Sequence, residues 1–197
     1  MEGDVRRALE GYRVLITGAG GSIGSEIARQ VAAFRPARLV LLDHDETHLH
    51  DAAAKVGGVA EQVLADIRDE VRIRAVITQE RPDVVFHAAA HKHVPVLEAH
   101  PCEAIGTNVV GTDNVLRACL EADVERVVFI STDKAVRPQS VMGATKRIGE
   151  QLLLARRPPD RPWAAVRFGN VLGSRGSVVP TFMRQISEGG PVTVTHP

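Results

Sequence analysis

The run Ser131-Thr132-Asp133-Lys134 sets two hydroxyls, a carboxylate and an amine side by side, and Met142 and Lys146 follow, four residues apart. A carboxyl group raised in pKa and an amine lowered in pKa exchange protons with a substrate near neutral pH, which acid-base catalysis requires. Left exposed, the same neighbours form an ordinary surface ion pair that contributes little. Of 24 basic side chains, only Lys55, Lys92, Lys134 and Lys146 are lysines. In an arginine-rich chain, lysine suggests a need for an amine whose pKa can be tuned.

Two elements must position these residues. Residues 127–130 are an apolar run that reads as a buried strand, and residues 141–156 carry a helical pattern. Ligands of open α/β sheets bind beyond the carboxyl ends of strands, so Ser131, Thr132, Asp133 and Lys134 stand where chemistry is expected. The four-residue spacing predicts that Met142 and Lys146 share one helix face, distinct from the face bearing Val141, Ile148, Leu152 and Ala155. A methionine on a helix is otherwise core filler.

A second constellation lies near the N-terminus. In VLITGAGGSIG, residues 14–24, a strand-like run breaks into glycines and a helical pattern begins, with Ile23, Ile27, Val31 and Phe34 at helical spacing. Glycines at 18, 21 and 24 let the chain reverse, let backbone amides approach a pyrophosphate and let the helix pack on the strand. Ser22 and Ile23 then stand at the helix N-terminus, which faces the anion. A glycine turn also serves many α/β proteins merely as a turn. A second strand over 38–42 ends in Asp43, where a carboxylate accepts hydrogen bonds from both adenosine ribose hydroxyls and repels a 2′-phosphate. Such a carboxylate favours NAD over NADP, and otherwise Asp43 is a capping or surface aspartate.

Asp66 and Ile67 follow a short strand over 62–65; Asp66 either meets an adenine or caps the helix over 69–79. After a strand at 84–86, His87, His91 and His93 offer three imidazoles within seven residues. No carboxylate or cysteine completes a ligand set, so no metal is expected. Ala88 to Ala90 read instead as a loop built for close approach to a flat or charged ligand. Residues 101–122 predict one long helix with Ile105, Val109, Leu116 and Leu120 on one face and Asn108 beside it. Pro158, Pro159 and Pro162 break the chain before a strand at 164–168. A glycine-rich stretch over 169–180, a helix over 178–188 and a strand over 192–195 complete the pattern.

Composition narrows the class. The chain has 197 residues, 44% apolar, with 24 basic and 24 acidic side chains, which suits a soluble globular domain and gives no electrostatic case for nucleic acid. No stretch has the length or the apolar core of a membrane span or signal peptide, so the chain is expected in the cytoplasm. Cys102 and Cys119 are expected as buried thiols in a reduced compartment. Strands alternating with helices predict a Rossmann-type, doubly wound parallel sheet in the order 3-2-1-4-5-6.

The combination TGAGGSIG, HAAAHKHVP, TDKA and MGATK resembles the extended short-chain dehydrogenase/reductases, and among them the nucleotide-sugar 4,6-dehydratases of the CapD-type polysaccharide biosynthesis family. That resemblance implies bound NAD, with Gly18, Gly21, Ser22, Ile23, Gly24, Asp43, Asp66, Ile67, Ala88, Ala89, Asn108, Ser131 and Lys146 around it. It implies a UDP-sugar, in particular UDP-N-acetylglucosamine, met by Lys92, His93, Asn170, Ser174, Arg175 and Ser177. Lys134 is implied as base, Asp133 as acid and Lys146 as the ribose-holding amine. Thr132 assists, because Met142 replaces the tyrosine usual in the superfamily. These roles need Lys134 lowered and Asp133 raised in pKa. Alternatives are a dehydratase that also epimerises carbon 5, a sugar 4-epimerase, or a non-catalytic NAD-binding module. The expected division is a cofactor-binding part over 1–168 and the start of a sugar-nucleotide region over 169–197. Resembling enzymes continue beyond it and some carry N-terminal membrane helices, so the chain is expected to be truncated and to bind NAD without efficient turnover. A homo-oligomer is left open.

Overall fold

Apolar strands buried on both faces need helices on both sides, and the strand-helix alternation supplies them. The computed structural model describes residues 2–171 and 178–192. In chain order the elements are α1 (Glu2–Leu9), β1 (Arg13–Thr17), α2 (Ser22–Ala33), β2 (Arg38–Asp43), α3 (Glu46–Lys55) and β3 (Glu61–Leu64). Next come α4 (Glu70–Glu80), β4 (Val84–His87), α5 (Val94–Ala99), α6 (Pro101–Ile105), a π turn (Gly106–Gly111) and α7 (Thr112–Glu121). The remainder is β5 (Arg126–Thr132), a 3-10 turn (Asp133–Ala135), α8 (Val141–Arg156), β6 (Ala164–Phe168) and α9 (Val178–Ser187).

The six strands run parallel in the order β3-β2-β1-β4-β5-β6, as the alternation predicts. Side chains alternate across the sheet with period two. Val14 and Ile16 of β1 and Leu39 and Leu41 of β2 therefore meet Ala28, Val31, Leu49 and Ala53 of α2 and α3 on one side. Leu15, Val40, Val85, Val127 and Phe129 meet Ile73, Val76, Val115, Leu116 and Leu153 of α4, α7 and α8 on the other. Each such side chain, taken fully out of water, stabilises the fold by about 1.5–3 kcal/mol. Among the described residues no helix is long and apolar enough to cross a membrane.

Two expectations are corrected, the unbroken helix over 101–122 and the burial of Cys102, and two open points are settled. The helix predicted over 101–122 is interrupted by the π turn, whose wider winding rotates the register. Leu116 is buried, but Ile105 and Leu120 are exposed, and the inward face instead carries Thr107, Asn108, Asn114, Val115 and Cys119. Cys102 is exposed; only Cys119 is a buried thiol, its pKa pushed up by desolvation. On α8 the buried face holds Met142, Thr145, Lys146, Glu150 and Leu153, while Ile148 of the more apolar face is exposed. Asp69, accepting a hydrogen bond from the Arg72 amide at 2.9 Å, caps α4, so Asp66 does not. The strand expected over 192–195 lies, apart from an irregular Val192, outside the described residues.

Candidate functional site

Along the carboxyl ends of the strands runs a cleft of about 750 Å³. Its first wall is the glycine loop between β1 and α2. Gly18 has φ +67, and a Cβ there would run into the Ala88–Ala89 backbone beyond β4; a Cβ on Gly24 would collide with the Gly18 carbonyl. Only glycine allows these approaches. No side chain caps α2 at Gly21, so its dipole opens on the cleft with Ser22 and Ile23 in the wall.

Asp43 ends β2 at 7% exposure. Its Oδ2 accepts from the Gly20 amide at 2.8 Å and its Oδ1 from the Asp45 amide at 3.1 Å, so the loop orients the carboxylate toward the cleft. Asp66, Ile67 and Arg68 line the far end beyond β3. Arg68 donates to Asp66 from Nε at 2.9 Å and holds that carboxyl below its ordinary pKa.

Ala88, Ala89, Lys92 and His93 follow β4 along the cleft wall. The three histidines part company here. His87 is wholly buried between the Thr17 hydroxyl, 2.6 Å from Nδ1, and the Thr112 hydroxyl, 3.0 Å from Nε2, and is stacked on Phe129. Desolvation pushes its pKa down to about 3, so it is a neutral core residue. His91 sits in the cleft wall and His93 at the start of α5.

Asn108, unlike the other cofactor candidates among the described residues, does not reach the cleft except through its neighbours. It is fully buried; its Oδ1 accepts from the His91 amide at 2.8 Å, and its Nδ2 donates to the His91 carbonyl at 3.0 Å and to Thr145 Oγ1 at 3.1 Å. It therefore holds the loop beyond β4 against α8, organising the backbone that lines the cleft. Its neighbour Thr107 does line the cleft, with a buried hydroxyl that has no partner among the described residues. The sequence pattern does not single out Thr107, because the π turn that points it inward leaves no helical period.

At the end of β5 and just past it, Ser131, Thr132 and Lys134 line the cleft. Lys134 Nζ donates to Asp133 Oδ1 at 3.1 Å and to Asn170 Oδ1 at 3.2 Å. Asp133 corrects an expectation: its side chain is 56% exposed and stands outside the cleft lining, and the hydrogen bond from Lys134 holds its pKa below, not above, the ordinary value. Asn170 is in the wall; Ser174, Arg175 and Ser177 lie outside the described residues.

Ser140 caps α8, accepting from the Gly143 amide at 3.1 Å, and Glu98 of α5 accepts from the Val141 amide at 2.7 Å. That start aims Met142 and Lys146, 6% and 5% exposed, into the cleft. Lys146 Nζ lies 4.0 Å from the Phe129 ring centroid, and burial pushes its pKa down to about 7 against the opposing pull of Glu150. One cleft thus joins a glycine loop at a helix N-terminus and a buried carboxylate to an amine whose pKa burial pushes down to about 7.

Residues 14–197 match the family described as polysaccharide biosynthesis protein. The chain belongs to this family. It is 50% identical to the capsular polysaccharide biosynthesis protein CapD of Staphylococcus aureus over 98% of this chain and 34% of that protein. It is 37% identical to a UDP-N-acetylglucosamine 4,6-dehydratase (inverting) of Campylobacter jejuni, over 93% of this chain and 57% of the relative. Among solved structures, Pen of Bacillus thuringiensis superposes with TM-score 0.89 at 35% identity, covering 95% of this chain and 59% of that one. UDP-glucose 4-epimerase of Thermus thermophilus in complex with NAD has TM-score 0.81 at 30% identity, covering 92% and 65%. The chain spans about a third to three fifths of the length of the curated relatives it matches.

Proposed function

We propose that this family member is the NAD-binding and proton-transferring part of a nucleotide-sugar 4,6-dehydratase acting on a UDP-N-acetylhexosamine. The observation that carries the reading is the shared cleft, in which Gly18, Gly24 and Asp43 stand at one end and Lys134, Met142 and Lys146 at the other. The residues fit the cofactor: a Cβ would fill the glycine cradle, and Thr107, whose buried hydroxyl has no partner among the described residues, lines the same space. Asp43 would hold the adenosine ribose, the α2 N-terminus the pyrophosphate, and Lys146 the nicotinamide ribose. Bound NAD would supply the hydride acceptor for carbon 4 of the sugar and, once reduced, the hydride donor for carbon 6.

The rest of the chemistry is proton traffic. The proton on carbon 5, acidified by a ketone at carbon 4, must leave, and the departing carbon-6 hydroxyl must gain one. Lys134 is the base and Asp133 the acid. One proton passed from the ammonium to the carboxyl along their hydrogen bond yields the neutral pair that both roles need, and enclosing the pair beneath a sugar favours that neutral form. Thr132 passes the carbon-4 hydroxyl proton on to water, since Met142 has none to exchange, and once carbon 6 is reduced the Lys134 ammonium returns a proton to carbon 5. The C. jejuni dehydratase supports this chemistry, and the NAD complex of the T. thermophilus enzyme supports the cofactor.

Incubation of the full-length protein with UDP-N-acetylglucosamine and analysis of the product tests the reading. A 4-keto-6-deoxy sugar nucleotide is expected. A carbon-4 epimer would assign an epimerase instead, and NAD binding with no sugar product would assign a binding module.

A further inference from the structure

Lys146 and Glu150 stand four apart on α8, a spacing at which lysine and glutamate side chains ordinarily pair. Here they do not. Glu150 is 4% exposed and its carboxylate is fully engaged elsewhere. Oε1 accepts from Ser131 Oγ at 2.6 Å and from Arg167 Nε at 2.8 Å. Oε2 accepts from Arg167 Nη2 at 2.7 Å and from Arg147 Nη1 at 3.1 Å. A carboxylate offers about four lone-pair directions, and four donors occupy them. Strand register makes this possible: Ser131 on β5 and Arg167 on β6 are direct partners in the sheet, so both converge on the same point of α8. The Lys146 amine is left over the Phe129 ring.

We propose that Arg167 is a positioning residue for Lys146: by occupying both oxygens of Glu150 in a forked pair, it keeps that carboxylate from capturing the amine and leaves the amine facing the cleft. This deepens the reading above, resting on Lys146 as the residue that holds the cofactor ribose. Around Lys146 stand His87 of β4, Asp133 and Lys134 at the end of β5, Arg167 of β6, and Arg147 and Glu150 of α8, while Glu98 of α5 is engaged by the Val141 amide, Glu103 of α6 by Arg68 and Asp113 of α7 by Arg156. Of these, Glu150 pulls on Lys146 directly, and Lys146 in turn helps to depress His87. His87 is neutral near pH 7, which leaves Glu150 as the one group that favours the ammonium. The forked, always-charged guanidinium suits the task of holding Glu150 aside; a lysine at 167 would satisfy only one of its oxygens at a time.

Four lysines make the test clean. In the 197-residue chain labelled at the lysine ε-carbons, four resonances are followed from pH 5.5 to 11, and Lys146→Arg identifies one by its loss. The wild-type Lys146 midpoint is expected near the 7 that burial dictates. Arg167→Met frees two lone pairs of Glu150 and should raise that midpoint by about one unit or more. Arg147→Met, which removes a single longer bond at an exposed side chain, should raise it less, and serves alone should Arg167→Met fail to fold. In a Glu150→Gln background neither arginine substitution should raise it. An unchanged or lowered midpoint in folded Arg147→Met and Arg167→Met, or an equal rise with Gln at 150, would overturn the proposal. None of these readouts depends on catalysis, so failure of the dehydratase reading would show separately, in the sugar product.

Discussion

A single carboxylate carries the choice of cofactor. Asp43 is held by the Gly20 amide and lies in the cleft, where it would accept from ribose hydroxyls and repel a phosphate ester. Calorimetric titration should show NAD binding more tightly than NADP. Asp43→Ala should weaken NAD by about tenfold or more, the worth of hydrogen bonds to a charged group, and narrow the preference. At the other end of the cleft the proposed chemistry ranks the substitutions. Lys134→Ala and Asp133→Asn should lower kcat in the full-length protein by roughly 10²–10⁴-fold, the usual contribution of a positioned acid or base. Met142→Ala should fall well short of that, because Met142 moves no proton. Steady-state kinetics on the three variants checks the order.

The elements explain why those side chains stand where they do. The π turn carries Asn108, which bonds the His91 backbone twice and reaches Thr145 on α8. Asn108→Ala would strand a buried amide and carbonyl, costing about 1–3 kcal/mol, and would loosen the loop that lines the cleft. Denaturant unfolding should report the stability loss, and calorimetry a parallel loss of NAD affinity. The apolar strands, the glycine turn and the start of α8 are legible in the sequence, because burial on both faces, chain reversal and capping each leave a local pattern. The π turn is not, since one extra residue per turn breaks the period by which a helix face is read. Thr145 and Glu150 of α8 are missed for another reason: composition marks them as outward, yet they lie on the buried side with Lys146. Glu150 and Arg167 carry no motif, and only the pairing of Ser131 with Arg167 across β5 and β6 brings them together.

At the scale of the whole molecule, burying titratable groups makes stability depend on pH. His87 has a folded pKa of about 3 against an ordinary 6.5. Between those values the unfolded chain binds a proton that the folded chain refuses, so stability is lost as pH falls through this window, by several kcal/mol in full. His91, also lowered, adds in the same direction. Lys146, folded near 7 against 10.5, makes stability rise as pH climbs from 7 to 10.5. Unfolding by urea at pH 7.5 and at pH 5, above the range where carboxylates protonate, should show the acid-side loss, and His87→Asn should flatten it.

In the proposed mechanism a base at the end of β5 removes the proton from carbon 5 of a sugar whose carbon 4 has been oxidised within the same cleft. Turnover of UDP-N-acetylglucosamine by the full-length protein in deuterated water reads this directly. A 4-keto-6-deoxy product carrying solvent deuterium at carbon 5 is expected, with both product and label lost in Lys134→Ala. Product formed without deuterium at carbon 5, or near-normal turnover in Lys134→Ala, would contradict it.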